Sequence, residues 1–210
     1  MIAMVLSVES RAAITVYNSA NVAGNSAMRI SWLAGIGVTP QHLVDFESGF
    51  IDGQNINGAS FVGGMQIRDS GTGTPTVSIE STAGGIGGSN PVGIFSIEHD
   101  EQPYLILDFS AQPVDYIGLF EIDTTRVNYN ITFVGGGTFS FSSDTTGGSG
   151  DSGEFIGFHR NDQPKITMVE MDASGDGVWG VDNFEYGGVP EPSSILLLAM
   201  GMISLGRRKR

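Results

Sequence analysis

Asp172, Ser174 and Asp176 occupy alternate places in the run Asp172-Ala173-Ser174-Gly175-Asp176-Gly177. Oxygens spaced in this way converge on one hard cation, and a glycine at the sixth place permits the sharp turn that closes the loop. In a helix-flanked calcium loop the twelfth place is a bidentate Glu. Here it is Asn183, with Asp182 one step early. The helix-flanked reading therefore fails, which leaves a Ca2+ site of another geometry or a plain Asp/Ser/Gly turn. Asp182 bears on the choice, because it shares strand parity with Val178, Phe184 and Tyr186. If that set faces the core, the carboxylate points inward and must be paired, hydrogen-bonded or metal-bound. If Trp179 and Val181 face the core instead, Asp182 is solvated and needs no ion.

Other chemistry is thinner. Gly150-Asp151-Ser152-Gly153 is similar to the segment around the nucleophile of trypsin-like proteases, but Glu154-Phe155 stands where Gly-Pro would follow. A serine nucleophile needs a His oriented by a carboxylate, and His42, His99 and His159 lie in unrelated settings. No catalytic residue is assigned. The absence of Cys excludes disulfides, iron–sulfur centres, Cys-ligated zinc and thiol nucleophiles. Glycoside hydrolysis needs two carboxylates at a fixed separation, which 23 acidic residues supply by chance and a sequence cannot measure. Sugar recognition needs exposed aromatics among hydrogen-bonding neighbours. The available rings are Tyr17, Trp32, Tyr104, Tyr116 and Trp179, in a chain whose 12 Phe already supply a core.

The elements that position these groups read as strands. From residue 14 to 188 the apolar pattern has period two and is bounded by Gly, Asn, Asp and Ser. Asn128–Phe133 and Thr138–Ser142 alternate cleanly around Gly135-Gly136-Gly137, which predicts a hairpin. Further strands are predicted over 43–50, 60–68, 76–81, 92–98, 104–109, 116–122, 154–158, 165–171 and 178–186. Short strands at this spacing predict an all-β fold, a β-sandwich or jelly roll of about ten strands. The pattern predicts no full helix in the body; residues 25–35 carry at most one turn. Residues 81–90 and 142–153 are Gly/Ser-rich loops, placed where sandwiches commonly bind ligands. The final strand region is loosely similar to the closing strand of carbohydrate-binding jelly rolls. That resemblance implies a structural Ca2+ held between an early acidic strand, here Asp45-Phe46-Glu47, and the last strand with Asp182.

The two ends differ from this body. Twenty-two of the 23 acidic residues but only six of the 10 basic ones precede Val189, so the body carries −16 of a chain total of −13. The remaining bases are Arg207, Arg208, Lys209 and Arg210, directly after the apolar run 195–205. So acidic a body excludes nucleic-acid binding, which needs clustered Lys and Arg. At ~1.5 Å per residue the apolar run spans roughly 17 Å, and residues 189–206 roughly 27 Å, marginal for a bilayer. Basic residues at its end stay cytoplasmic, which places the body outside. Pro190 and Pro192 around Glu191 keep the preceding backbone extended and accessible.

The ordered set Val189-Pro190-Glu191-Pro192-Ser193, short apolar segment and basic end resembles a PEP-CTERM sorting signal over residues 189–210. The resemblance implies recognition by an exosortase in the inner membrane, removal of the tail, and residence in the cell envelope or an extracellular polysaccharide matrix. At the other end, residues 1–8 are apolar and Ser10-Arg11-Ala12-Ala13 offers small residues near a cleavage point, but no basic region precedes them. Residues 1–13 are therefore expected to be a truncated signal peptide, the alternative being a first strand. The expected protein is an exported, non-enzymatic β-sandwich that binds polysaccharide and is stabilised by Ca2+. A secreted glycan lyase or hydrolase on the same scaffold is the competing expectation.

Overall fold

The computed structural model describes residues 14–18, 25–46, 49–70, 77–80, 96–100, 104–122, 126–143, 154–160, 164–173 and 178–189. The predicted signal peptide, the loops 81–90 and 144–153 and the tail from Pro190 onward lie outside them.

Among the described residues there are fourteen strands and one α-helix. In chain order they are β1 (Thr15–Asn18), α1 (Asn25–Ile36), β2 (His42–Val44), β3 (Gln54–Asn55), β4 (Ala59–Ser60), β5 (Gln66–Asp69), β6 (Val77–Glu80) and β7 (Ser96–Asp100). There follow β8 (Leu105–Asp108), β9 (Tyr116–Ile122), β10 (Asn128–Phe133), β11 (Thr138–Ser142), β12 (Glu154–His159), β13 (Ile166–Asp172) and β14 (Val178–Gly187). All pair antiparallel. One sheet runs β1-β12-β9-β14-β7-β6-β3, with β2 beside the end of β14; the other runs β11-β10-β13-β8-β5-β4. Their inner faces share a core that includes Phe109, Tyr129, Phe158, Trp179, Phe184 and Tyr186.

Period-two regions fold as their pattern dictates. In β10 Tyr129, Ile131 and Phe133 are buried while Asn128 is exposed and Asn130 and Thr132 are half-buried. The turn to β11 uses Gly135 and Gly136 at φ 90 and 87°, a region that costs glycine nothing. β1 and β3 match no predicted strand, and three further regions depart from expectation for local reasons. The single strand expected over 60–68 is instead the hairpin β4–β5, turned by Gly63 and Gly64 at φ 69 and 78°. The strand expected over 43–50 stops at Val44, because Phe46 takes φ 57° and leads the chain away.

The third departure is α1, three turns where at most one was expected. Met28, Trp32 and Ile36 recur at four-residue spacing and pack, with Leu33, on the outer face of the eight-stranded sheet. Gly118 and Gly157 are cross-strand partners there. A Cβ at Gly157 would lie 2.5 Å from Trp32 Cδ1, and one at Gly118 would lie 2.9 Å from Trp32 Cη2. The glycine pair is the flat seat on which the indole rests, and Trp32 Nε1 donates to the Phe158 carbonyl at 3.3 Å.

Candidate functional site

Six strands side by side expose a polar outer face, and register brings its groups into rows. Ser142, Asn128 and Asp172 share one row, as do Ser140, Asn130 and Glu170. Ser142 Oγ donates to Asn128 Oδ1 at 2.8 Å, and Ser140 Oγ to Asn130 Oδ1 at 3.3 Å. Asn130 Nδ2 in turn donates to Glu170 Oε2 at 2.7 Å. Together with Tyr104, 40% exposed, these groups line a groove of about 450 Å³. Farther along the sheet Arg68 pairs with Asp108 at 2.7 Å. Burial opposes ionisation of Asp108, but hydrogen bonds from Ser110 and the Arg68 guanidinium outweigh it and hold the carboxyl below the usual range. The groove thus offers amide and hydroxyl groups, two carboxylates and one exposed ring. That set can hydrogen-bond a polyhydroxylated chain and stack against one face of a ring.

Of the five aromatics named from the sequence, Tyr104 alone lies in this groove. Trp32 of α1 and Tyr116 of β9 are buried where the helix meets the sheet, Trp179 is buried in the sandwich core, and Tyr17 is half-buried against the helix. The proposed calcium ligands are dispersed. Asp172 ends β13 and faces the groove, whereas Asp182 lies in β14, in the other sheet. A bulge between Asp182 and Glu185, with Asn183 at φ 51°, shifts β14 by one residue against β9. Trp179 and Val181 before it, and Phe184 and Tyr186 after it, all face the core. Asp182 is therefore turned away from the sandwich core, yet it is fully buried, and its Oδ1 accepts the Asn183 N–H at 2.6 Å. Asp45 follows β2, whose Val44 pairs with Phe184, and so approaches the same bulge. Glu47 and Asp176 lie outside the described residues, as do Asp151 and Ser152. Among the described residues no group of three or more His, Asp or Glu is placed to hold a metal ion.

Four buried acids, Asp115, Glu121, Glu154 and Glu185, were missed from the sequence, and two of them form a pair. Glu121 of β9 and Glu154 of β12 are register partners, and both are buried. Glu121 lies against core residues of the opposite sheet: the Tyr129 hydroxyl donates to its Oε1, and Ser143 hydrogen-bonds it as well. Burial pushes the Glu121 carboxyl up to about 8; the Tyr129 and Ser143 hydrogen bonds oppose this, and the Glu154 charge adds to it. Burial and the same carboxylates raise the Tyr129 hydroxyl well above its ordinary value. Nothing in either strand's own pattern signals the pair, since it requires knowing that strands 33 residues apart are neighbours.

Of the sorting motif, Val189 is the one described residue. It packs against the Trp32–Tyr116–Phe155 cluster, and its N–H donates to Asp115 Oδ2 at 2.7 Å. Pro190, Glu191, Pro192, Ser193 and the basic end Arg207, Arg208, Lys209 and Arg210 lie outside the described residues. No described helix is long and apolar enough to cross a membrane.

The fold and the tail together define a β-sandwich that carries an export-sorting signal. Residues 188–210 match the PEP-CTERM protein-sorting motif. No curated protein matches the sequence. Among solved structures the chain is similar to the enzymatically active domain of tailspike protein 4 of bacteriophage CBA120, at TM-score 0.40 and 15% identity over 64% of this chain and 21% of that one. It thus spans about a fifth of the length of that domain's chain. It is also similar to a mutant of a family 29 carbohydrate-binding module, at TM-score 0.33 and 10% identity over 61% of this chain and 98% of that one. A family 11 carbohydrate-binding module of a cellulosomal cellulase of Clostridium thermocellum gives TM-score 0.34 and 14% identity over 72% and 96%.

Proposed function

We propose that the chain is an exported, non-enzymatic polysaccharide-binding protein of the cell envelope or extracellular matrix, released from an inner-membrane-anchored precursor by an exosortase. The observation that carries the binding role is the hydrogen-bonded row Ser140–Asn130–Glu170 beside exposed Tyr104 on one sheet face. Glu170 and Asp172 in the groove, and a strongly acidic body around it, disfavour polyanions. The ligand is accordingly a neutral or amino-sugar polymer.

The test is a glycan array of neutral, amino-sugar and uronic-acid polymers probed with the purified protein, with a reducing-end assay on every polymer bound. Neutral or amino-sugar polymers are expected to bind, and Tyr104→Ala or Asn130→Ala to weaken binding roughly tenfold, the equivalent of about 1.4 kcal/mol. Release of shortened product would overturn the non-enzymatic role, and binding unchanged in both variants would remove the groove.

The same proposal includes the structural Ca2+ expected from the sequence at Asp45, Glu47 and Asp182, of which Asp45 and Asp182 are described, one after β2 and the other at the β14 bulge. EDTA is then expected to lower the Tm of the wild type and to leave that of Asp182→Ala unchanged. An EDTA-insensitive wild type removes the ion.

A further inference from the structure

The backbone that enters the sorting motif is fastened to the body residue by residue. The Asp115 N–H donates to the Gly187 carbonyl at 2.8 Å, the Gly188 N–H to Gln41 Oε1 at 3.0 Å, and the Val189 N–H to Asp115 Oδ2 at 2.7 Å. The two holding side chains are themselves held. Lys165 Nζ lies 3.4 Å from Asp115 Oδ2, and the Gln41 N–H donates to the Tyr116 hydroxyl at 3.0 Å. The fit is close, because a Cβ at Gly187 would come 2.5 Å from Tyr116 Oη and 2.8 Å from Gln41 Oε1. Val189 then buries part of its side chain against the Trp32–Tyr116–Phe155 cluster. Val189 immediately precedes Pro190-Glu191-Pro192 in the sequence.

We propose that this corner, built from Gln41, Asp115, Tyr116 and Lys165, is a positioning clamp that fixes where the tail leaves the body and so presents the sorting motif to the membrane-embedded processing enzyme. The inference rests on the sorting-signal reading of the tail and is independent of the polysaccharide groove. Five residues, 190–194, separate the clamp from the apolar run. Fully extended they reach about 17 Å. A body so closely tethered to an inserted tail has this corner facing the membrane, beside any enzyme that holds the motif. The backbone donors of Gly188 and Val189 are already engaged, so the segment offered to the enzyme begins at Pro190. Its entry direction is set before binding, and the ordering cost that a slack linker would carry into the enzyme complex is reduced.

Inserting eight Gly/Ser residues between Val189 and Pro190 leaves every clamp contact intact while removing the coupling. Tail removal is followed by pulse-labelling and intact mass in the producing bacterium, alongside the Tm of each purified protein. The insertion is expected to slow processing roughly threefold or more at unchanged Tm. Asp115→Ala is expected to slow it as well, while the control Pro190→Ala/Glu191→Ala blocks it. An insertion variant processed at the wild-type rate or faster overturns the positioning role. A motif control processed like wild type instead removes the sorting reading beneath it, so the two failures are distinguishable.

Discussion

Urea unfolding of Glu121→Gln is expected to show stability nearly independent of the decline that the wild type suffers between about pH 4.5 and 8. In the folded protein the Glu121 carboxyl holds its proton up to about pH 8, against an ordinary value of 4.5. Its folded value is thus raised, so the stability it confers is fully present below 4.5 and is lost as pH rises through 8. Within that window the native state binds a proton that the unfolded chain has released, and each pH unit costs about 1.4 kcal/mol. Above 8 both states are ionised at this position and the cost stops growing. Gln is the same size and cannot ionise, and it keeps the acceptor oxygen that the Tyr129 hydroxyl uses. At pH 5 wild type and variant should therefore agree within about 1 kcal/mol, the net scale of a single hydrogen bond, and at pH 9 the variant should be the more stable by several. Subtracting one curve from the other removes contributions from the rest of this acidic surface. A difference that stays flat across the window would show that the buried carboxyl does not hold its proton.

That pair marks the limit of what residue order could convey. Alternation made β10, β11 and the Gly135–Gly136 turn legible, because each side chain's face follows from its own neighbours. The sorting tail was legible for the same reason, being a purely local signature. Long-range registers were not. Glu121 beside Glu154, or Asp172 and Asp182 in different sheets, depends on which strands pair. The parity argument for Asp182 failed through a single inserted residue: the bulge at Asn183 lets Trp179 and Tyr186 both face inward, so two readings that excluded each other hold on either side of it. The groove was hidden for a related reason, since its rows assemble from β10, β11 and β13, each contributing a few polar residues that look like ordinary exterior positions.

The helix was hidden by a glycine with a packing role. Gly35 interrupts the helical pattern, but a Cβ there would collide with the Tyr17 hydroxyl of β1, so the interruption is the condition for close approach. The same logic at the sheet surface gives the largest expected loss of stability. Trp32→Ala empties the fully buried space above Gly118 and Gly157 and removes the hydrogen bond to the Phe158 carbonyl, which is expected to cost about 3–5 kcal/mol. Gly157→Ala attacks the contact from below. Its Cβ would meet Trp32 Cδ1 at 2.5 Å and Phe155 Cε1 at 2.9 Å, so the helix must lift, at about 1–3 kcal/mol by the usual cost of overpacking. The two losses are not independent. Once the indole is gone, the new methyl group enters the space it left, and most of the Gly157→Ala cost should vanish in the double variant. The expected coupling is therefore more than 1 kcal/mol, read from urea unfolding of the wild type, both single variants and the double. Additive losses would mean that the glycine pair is required for strand geometry and not as the seat of the helix.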